Sequence, residues 1–392
     1  MSRILITGST GFIGGRLAEI AFEAGMTVVG LVRNWSHAAR LARLPIELVH
    51  GDITHPGSLR EAMRGCDVVF HGAVDNRAGG KAHRRSIVQG TANVMQAALE
   101  AGVKRVVHLS SVAVYSYKPK ADAATEDGAY QYSGDPYCDG KIEAEKIALR
   151  YYREHGLPVT VLRPTIVYGP FGSWTVDTVA AIREGHMVLV NGGTGVCNTL
   201  YVDNLVEAML LAGEKDGAAG QVFHISDANP VTWKEFIEAH ARALGDSYLP
   251  LPQMTAREMA AAKAEAKKSG PSSLEQTLTL MRDPAMRRAL RSIPAVERSA
   301  QFGRDVARRL LPASTLSTLR QKMLSEGSVS PERRALDGAA RRPYLSEAEL
   351  NIYTIEVVFS PEKARRILSY SPRINFAEGM ERTSAWIKWA RL

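Results

Sequence analysis

At 392 residues, with 45% hydrophobic and 23% charged residues, the chain has the make-up of a soluble globular protein able to bury a large core. Its net charge of +8 is local: residues 251–345 hold 18 Lys+Arg against 9 Asp+Glu, which leaves the remainder at −1 and argues against a chain that is basic throughout. No apolar run reaches membrane-spanning length, and Met1-Ser2-Arg3 leads into a strand rather than a signal peptide, so the expected location is cytoplasmic.

Residues 4–7 predict a strand and residues 12–24 an amphipathic helix stopped by Gly25, followed by strands at 27–32 and 47–50. A helix over 58–64 leads to a fourth strand at 68–71. A helix over 86–101, ended by Gly102, leads to a fifth strand at 106–110. A long helix over 137–155 precedes a sixth strand at 159–162. Short Val/Ile-rich strands alternating with helices read as parallel βαβ units, hence an α/β, Rossmann-like, doubly wound parallel sheet.

After Pro170 the pattern loosens. A helix is expected over 176–184, a strand at 188–190 and a turn at Gly192-Gly193-Thr194-Gly195. A helix over 201–211, with Asp203 as N-cap, leads to a strand at 222–225. Residues 253–345 are Ala/Arg/Leu-rich and expected to be helical, broken at Gly270-Pro271, Pro284, Pro294, Pro312 and Pro331. A last strand at 355–359 precedes a helix opened by Ser360-Pro361-Glu362, with proline at its first position.

Thr7-Gly8-Ser9-Thr10-Gly11-Phe12-Ile13-Gly14 joins the first strand to the first helix. Gly8 permits a tight turn, Gly11 lets backbone approach a pyrophosphate, and Gly14 permits close helix–strand packing, with the helix N-terminus as anion site. Dinucleotide contacts are therefore expected from Gly8, Thr10, Gly11, Phe12, Ile13 and Gly14. The second strand ends on Arg33, with His37 and Arg40 behind it, where NAD-binding sheets usually place a carboxylate. A guanidinium there can hold a 2′-phosphate, which favours NADP and leaves NAD open. Asp52, beside Ile53, either accepts from an adenine amino group or caps a turn.

Tyr137 and Lys141 stand four residues apart, on one helical face. An ammonium beside a phenol favours phenolate, so Lys141 is expected to draw the Tyr137 pKa down, and the tyrosine could then pass a proton to or from an alcohol oxygen. Ser111 closes the fifth strand, where its hydroxyl either meets a reacting oxygen or caps the strand. Cys138 has no histidine within evident reach and is read as packing, as are His108, in an apolar strand, and Trp386 and Trp389. The scattered Cys66, Cys138 and Cys197 fit a reducing compartment and lack zinc spacing, so no metal is expected.

These pieces resemble the extended short-chain dehydrogenase/reductase family, of the NAD-dependent epimerase/dehydratase type, over residues 1–230. The likeness rests on the glycine loop, Val69-Phe70-His71-Gly72-Ala73, Gly90-Thr91-Ala92-Asn93-Val94, Ser110-Ser111 with Val114-Tyr115, and Tyr137 with Lys141. It continues through Leu162-Arg163-Pro164 with Val167-Tyr168-Gly169-Pro170, and Tyr201-Val202-Asp203-Asn204; Phe359–Ala364, Glu378-Gly379 and Trp386 look like the family's ending. The resemblance implies a catalytic Ser111, Tyr137 and Lys141. It further implies cofactor contacts from Ala73, Tyr137, Lys141, Pro164 and Val167, and substrate contacts from Ser111, Val112, Tyr137, Thr165 and Asn198. Residues 1–170, with 198–226 returning, would form the NAD(P)-binding domain. Residues 171–197 and 227–392 would form a smaller, mostly helical substrate lobe holding the insertion 253–345.

Two departures narrow the chemistry. Val112 and Ala113 stand where 4,6-dehydratases of the family carry acidic residues, so dehydration is not expected. Cys197-Asn198-Thr199-Leu200 lacks the arginine that nucleotide-sugar members commonly place there, a role that a basic residue from 251–345 could take instead. The first expectation is an oxidoreductase or epimerase moving hydride at a carbinol or ketone carbon of a nucleotide-sugar. The alternative is a ketone reductase or alcohol dehydrogenase on a hydrophobic, flavonoid- or steroid-like or lipid-linked substrate. A third reading, a non-catalytic nucleotide-binding module with a basic membrane- or partner-binding lobe, is opposed by the intact Ser111, Tyr137 and Lys141. The expected partner is a small-molecule substrate and not nucleic acid, since aromatics hardly interleave with the arginines. Peripheral membrane contact through 253–345 and a homodimer stay open.

Overall fold

The computed structural model describes residues 2–74, 80–259, 261 and 345–392. The chain divides into two compact units, Met1–Ala256 with Leu345–Leu392, and Arg257–Tyr344. Apart from residues 257–259 and 261, the second unit lies outside the described residues, and with it nearly all of the expected helical insertion.

In the first unit, β1 (Arg3–Thr7), α1 (Phe12–Glu23), β2 (Thr27–Val32) and β3 (Glu47–His50) begin the chain. They are followed by α2 (Pro56–Ala62), β4 (Val68–His71), α3 (Gly80–Glu100), β5 (Arg105–Leu109), α4 (Pro136–His155) and β6 (Val159–Pro164). Then come β7 (Ile166–Tyr168), α5 (Ser173–Arg183), β8 (Leu189–Val190), β9 (Val196–Cys197), β10 (Thr199–Tyr201), α6 (Val202–Glu214) and β11 (Val222–Ile225). The remaining elements are β12 (Val231–Thr232), α7 (Trp233–Leu244), β13 (Gln253–Met254), α8 (Glu347–Tyr353), α9 (Glu362–Leu368) and α10 (Phe376–Ala390).

The central sheet runs β11-β6-β5-β4-β1-β2-β3, and every pair in it is parallel. Successive strand residues face opposite sides, and both sides are buried. Leu5, Val29, Val69 and Val106 pack with Leu59 of α2 and Met95 of α3. Ile4, Ile6, Val28, Phe70 and Val107 pack on the other face with Leu17 of α1 and Leu205 and Met209 of α6. Strand order reverses between β1 and β4, and the crevice beyond their carboxyl ends is where doubly wound sheets bind ligands.

Helix α4 is fixed at both ends. The Asp135 carboxylate accepts from the Tyr137 and Cys138 N–H groups at 2.9 Å, Pro136 opens the first turn, and Gly156 closes the helix at φ 68°. Elsewhere the expectations need correction. Asp203 does not cap α6; it lies in the first turn and accepts from Arg16 at 2.7 and 2.9 Å. Pro361 is the N-cap of α9 rather than its first residue. Residues 355–359 do not join a ladder, because their partners are the Val196 N–H and the Asn198 side chain rather than a neighbouring strand. Trp386 packs against Phe171, whereas Trp389 is 76% exposed and anchors nothing.

Candidate active site

The glycine turn is held from below by β4. Gly8 adopts φ +76°, and its carbonyl accepts the Gly11 N–H at 2.9 Å. A Cβ on Gly14 would lie 2.8 Å from the Gly8 carbonyl carbon and closer still to its oxygen, so only glycine lets α1 start there. The Thr7 hydroxyl accepts the Ala73 N–H at 3.3 Å and lies 2.8 Å from His71 Nδ1, while His71 Nε2 lies 3.1 Å from Thr91 Oγ1. Burial, with help from the Lys141 charge, lowers His71 to about 3, so its ring is neutral and serves to fix Thr7.

At the end of β2, Arg33 lies 3.8 Å from the Asp52 carboxylate, and both line the cleft with Asn34, His37 and Ile53. Asp52 also accepts from the N–H and hydroxyl of Thr54, both at 2.8 Å, so it closes a turn. Arg40 is committed elsewhere: its Nε and Nη2 donate to Glu19 at 2.8 Å, and its guanidinium lies 4.4 Å over the Phe171 ring. Arg16 and Arg43 also pair with Glu19. Burial works against the Glu19 charge, but the three guanidiniums outweigh it and hold the carboxyl at about 2.

At the other end of the cleft, Ser111, Tyr137 and Lys141 converge from β5 and α4. Ser111 caps the short helical turn Val112–Tyr115, its hydroxyl accepting the Ala113 N–H at 3.1 Å, and it lines the cleft as well. Burial raises the Tyr137 phenol above its usual range, and the Ser111 hydrogen bond partly opposes this. The expected depression by Lys141 is absent. The ammonium donates to the Leu109 carbonyl at 2.9 Å, and burial brings its own pKa down to about 8, with Glu145 opposing.

Beneath this trio lies a buried polar knot that the sequence reading missed. Glu145, one turn beyond Lys141, accepts from Ser110 at 2.7 Å, Tyr130 at 2.8 Å, and Arg163 Nε and Nη2 at 3.1 and 2.5 Å. Arg163 also donates to Tyr115, whose hydroxyl lies 2.9 Å from His224 Nε2. The knot ties α4 to β5 and β6 directly below Ser111 and Pro164. A charge at 145 in register with 137 and 141, on a face carrying the buried Ile142 and Ala148, was the available signal.

The cleft encloses about 1210 Å³, more than the ~300–1,000 Å³ of a one-ligand pocket. Gly8, Thr10, Gly11, Phe12, Ile13, Gly14, Ala73, Pro164 and Val167 line it, together with Val112 and Thr165. Asn198 does not: its amide is spent on the Val357 carbonyl at 2.9 Å and the Phe359 N–H at 3.1 Å. The wall formed by Phe171, Trp174, Ile352, Tyr353 and Phe359 falls within the stretches expected to form the substrate lobe, although the sequence reading singled out none of these residues. These come from separated loops, and no local spacing announces them. Among the described residues no group of three His, Cys, Asp or Glu side chains could hold a metal, and no helix is long and apolar enough to cross a membrane.

Residues 4–226, more than half of the chain, match the model of the NAD dependent epimerase/dehydratase family. The chain is similar to a 4-hydroxy-2-methyl-3-oxo-4-farnesyl-3,4-dihydroquinoline-1-oxide ketoreductase of Stigmatella aurantiaca, 32% identical over 241 residues, covering 60% of this chain and 71% of that protein. It is also similar to a 2-alkyl-3-oxoalkanoate reductase of Stenotrophomonas maltophilia, 30% identical over 253 residues, covering 62% and 76%. Among solved structures, a UDP-glucose 4-epimerase of Thermotoga maritima with UDP-glucose matches at a TM-score of 0.66 and 17% identity over 100% of both chains, a likeness of fold alone.

Proposed function

The chain belongs to the NAD dependent epimerase/dehydratase family, and within it we propose an NADP-linked reductase of hydrophobic ketones, working reversibly as an alcohol dehydrogenase. The observation that carries this reading is the wall beyond Ser111 and Tyr137. Phe171, Trp174, Val176, Met187, Ile352, Tyr353 and Phe359 make it largely apolar, and its ionisable side chains are the carboxylates Asp177 and Glu349 and the His186 imidazole. Among the described residues it offers no arginine, and no lysine besides Lys141, to a sugar-linked diphosphate, which two carboxylates would repel. The nucleotide-sugar expectation is therefore the weaker of the two on this geometry, and both similar curated proteins are named as reductases of oxo compounds bearing farnesyl or alkyl groups.

The glycine turn suits a dinucleotide, because a Cβ on Gly14 would fill the space its backbone must occupy. Arg33 is the residue for a 2′-phosphate, which is the basis for NADP. Bound there, the nicotinamide supplies hydride to the substrate carbon. The chain's own residues manage the oxygen. Ser111 donates a hydrogen bond to the carbonyl oxygen, and Tyr137, held protonated by burial, gives its proton as the alkoxide forms. Lys141, which lines the cleft beside Tyr137 with its ammonium 5.8 Å from the ring centre, would hold the nicotinamide ribose. Carbonyl, hydride and proton together make the alcohol, and the reverse run needs the same residues. Val112 and Ala113 supply no acid or base for water elimination, so we do not read a dehydratase here.

Tyr137→Phe tests this reading. Oxidation of NADPH by a panel of aliphatic and aromatic ketones should fall at least ~10²-fold in kcat, with nucleotide affinity kept. Near wild-type turnover in the variant, or conversion of UDP-sugars but of no ketone by the wild type, overturns it.

A further inference from the structure

A second cavity, of about 580 Å³, is bordered by Lys118, Pro119, Ala121, Ala124 and residues of the segment 351–358. The two share their walls. Ser116 and Tyr117 line the cleft and the next two residues line the second cavity. Ile352 and Tyr353 line the cleft, Asn351 and Thr354 the cavity, and Ile355 lines both.

The cavity is also built rather than left over. On one side, Ser116 turns the chain at φ 61°, and its hydroxyl accepts the Lys118 N–H at 3.2 Å. On the other, the strap 355–359 is pinned by the Val196 N–H to the Ile355 carbonyl at 2.7 Å and by Asn198 to Val357 and Phe359. The Ser360 N–H reaches the Ala124 carbonyl at 3.0 Å and joins the two sides. Pro119, Ala121, Ala124, Val357 and Val358 give the apolar part of its lining, with Val358 left 42% exposed, and Lys118, Asn351, Thr354 and Glu356 give the polar part.

We propose that this cavity is a tail-binding annex: an apolar chain attached to the substrate runs from the reacting carbonyl at Ser111 past Ile355 and lies against Ala121, Ala124 and Val358. The annex rests on the ketone-reductase reading and adds what sets substrate length. Each methylene buried there should improve kcat/KM about four-fold, the equivalent of ~0.8 kcal/mol, until the cavity is filled.

The test is a series of unbranched methyl ketones of rising length, run on the wild type and on Val358→Arg and Ala121→Trp, two substitutions at partly exposed sites. With long ketones KM should rise at least ten-fold in both variants, while kcat and KM for short ketones stay unchanged. Equal losses for short and long ketones, or no loss for long ones, overturn the annex. Calorimetric binding of long-chain alcohols to the same three proteins separates the two failures. Binding that is lost in the variants while no ketone turns over rejects the reductase reading and keeps the annex; binding unaffected by either substitution rejects the annex.

Discussion

Arg163→Met is expected to be among the most damaging single changes outside the cleft. Arg163 is 3% exposed and Glu145 0%, so removing the guanidinium leaves a buried carboxylate with the Ser110 and Tyr130 hydroxyls as hydrogen-bond partners and the Lys141 charge one turn away. Breaking a buried pair from one side costs ~3–5 kcal/mol, a large share of the ~5–15 kcal/mol that a folded chain commonly has. Replacing both partners, as Glu145→Leu with Arg163→Met, removes the stranded charge. Tyr115 still has His224, so the double variant should lose only ~1–2 kcal/mol, mostly from hydroxyls left without partners. Urea unfolding followed by circular dichroism should therefore give a coupling of at least ~2 kcal/mol between the two sites. Because the knot ties Lys141's helix to the strands bearing Ser111 and Pro164, kcat should fall in the single variant even where it is fully folded. A loss below ~1 kcal/mol for Arg163→Met, or additive losses in the pair, would refute the argument.

Gly14→Ala must push the glycine turn by roughly 1 Å, a misplacement that costs ~10²-fold in kcat/KM; the check is steady-state kinetics with NADPH varied, and unchanged kinetics would sink the packing argument. Lys141→Met should alter how stability depends on pH. The native lysine titrates near 8 and the unfolded one near 10.5, so between these values the unfolded chain binds more protons and wild-type stability rises with pH. The variant lacks that gain of ~3 kcal/mol, so the stability difference between the two should shift in favour of the wild type from pH 7 to pH 10.5 in chemical denaturation; a constant difference contradicts it. Phe171→Ala should speed nucleotide release several-fold in stopped-flow displacement without moving the melting temperature by more than a few degrees; an unchanged off-rate removes Phe171 from any role over the cleft.

The sheet was legible because its strands are short, continuous Val/Ile-rich runs between helices with clear stops, and Gly25 and Gly102 do adopt positive φ at those stops. The cofactor turn was legible for a related reason: a strand, three glycines and a helix leave the backbone one path. What the sequence hid depends on tertiary partners. Val357, Val358 and Phe359 have strand composition, but the group facing them is the Asn198 amide, which also removes Asn198 from the substrate. Arg40 stands close behind Arg33 in sequence, yet it is held by Glu19, 21 residues away, a pairing that the sequence does not show. The Tyr137 pKa was misjudged in direction, since helical spacing reports the neighbouring charge and says nothing of burial.

Phe171 sits in the left-handed region at φ 69°, 45% exposed, between the Arg40 guanidinium and the Trp386 ring. Arg40 is bolted to Glu19 and so to the helix that begins at the glycine turn. Phe171, in the cleft wall, is thus joined to that helix by a cation over a ring rather than by a deep apolar lock. In the reductase proposed above, which trades its nucleotide every cycle, a contact of ~0.5–2 kcal/mol is light enough to break at each turnover.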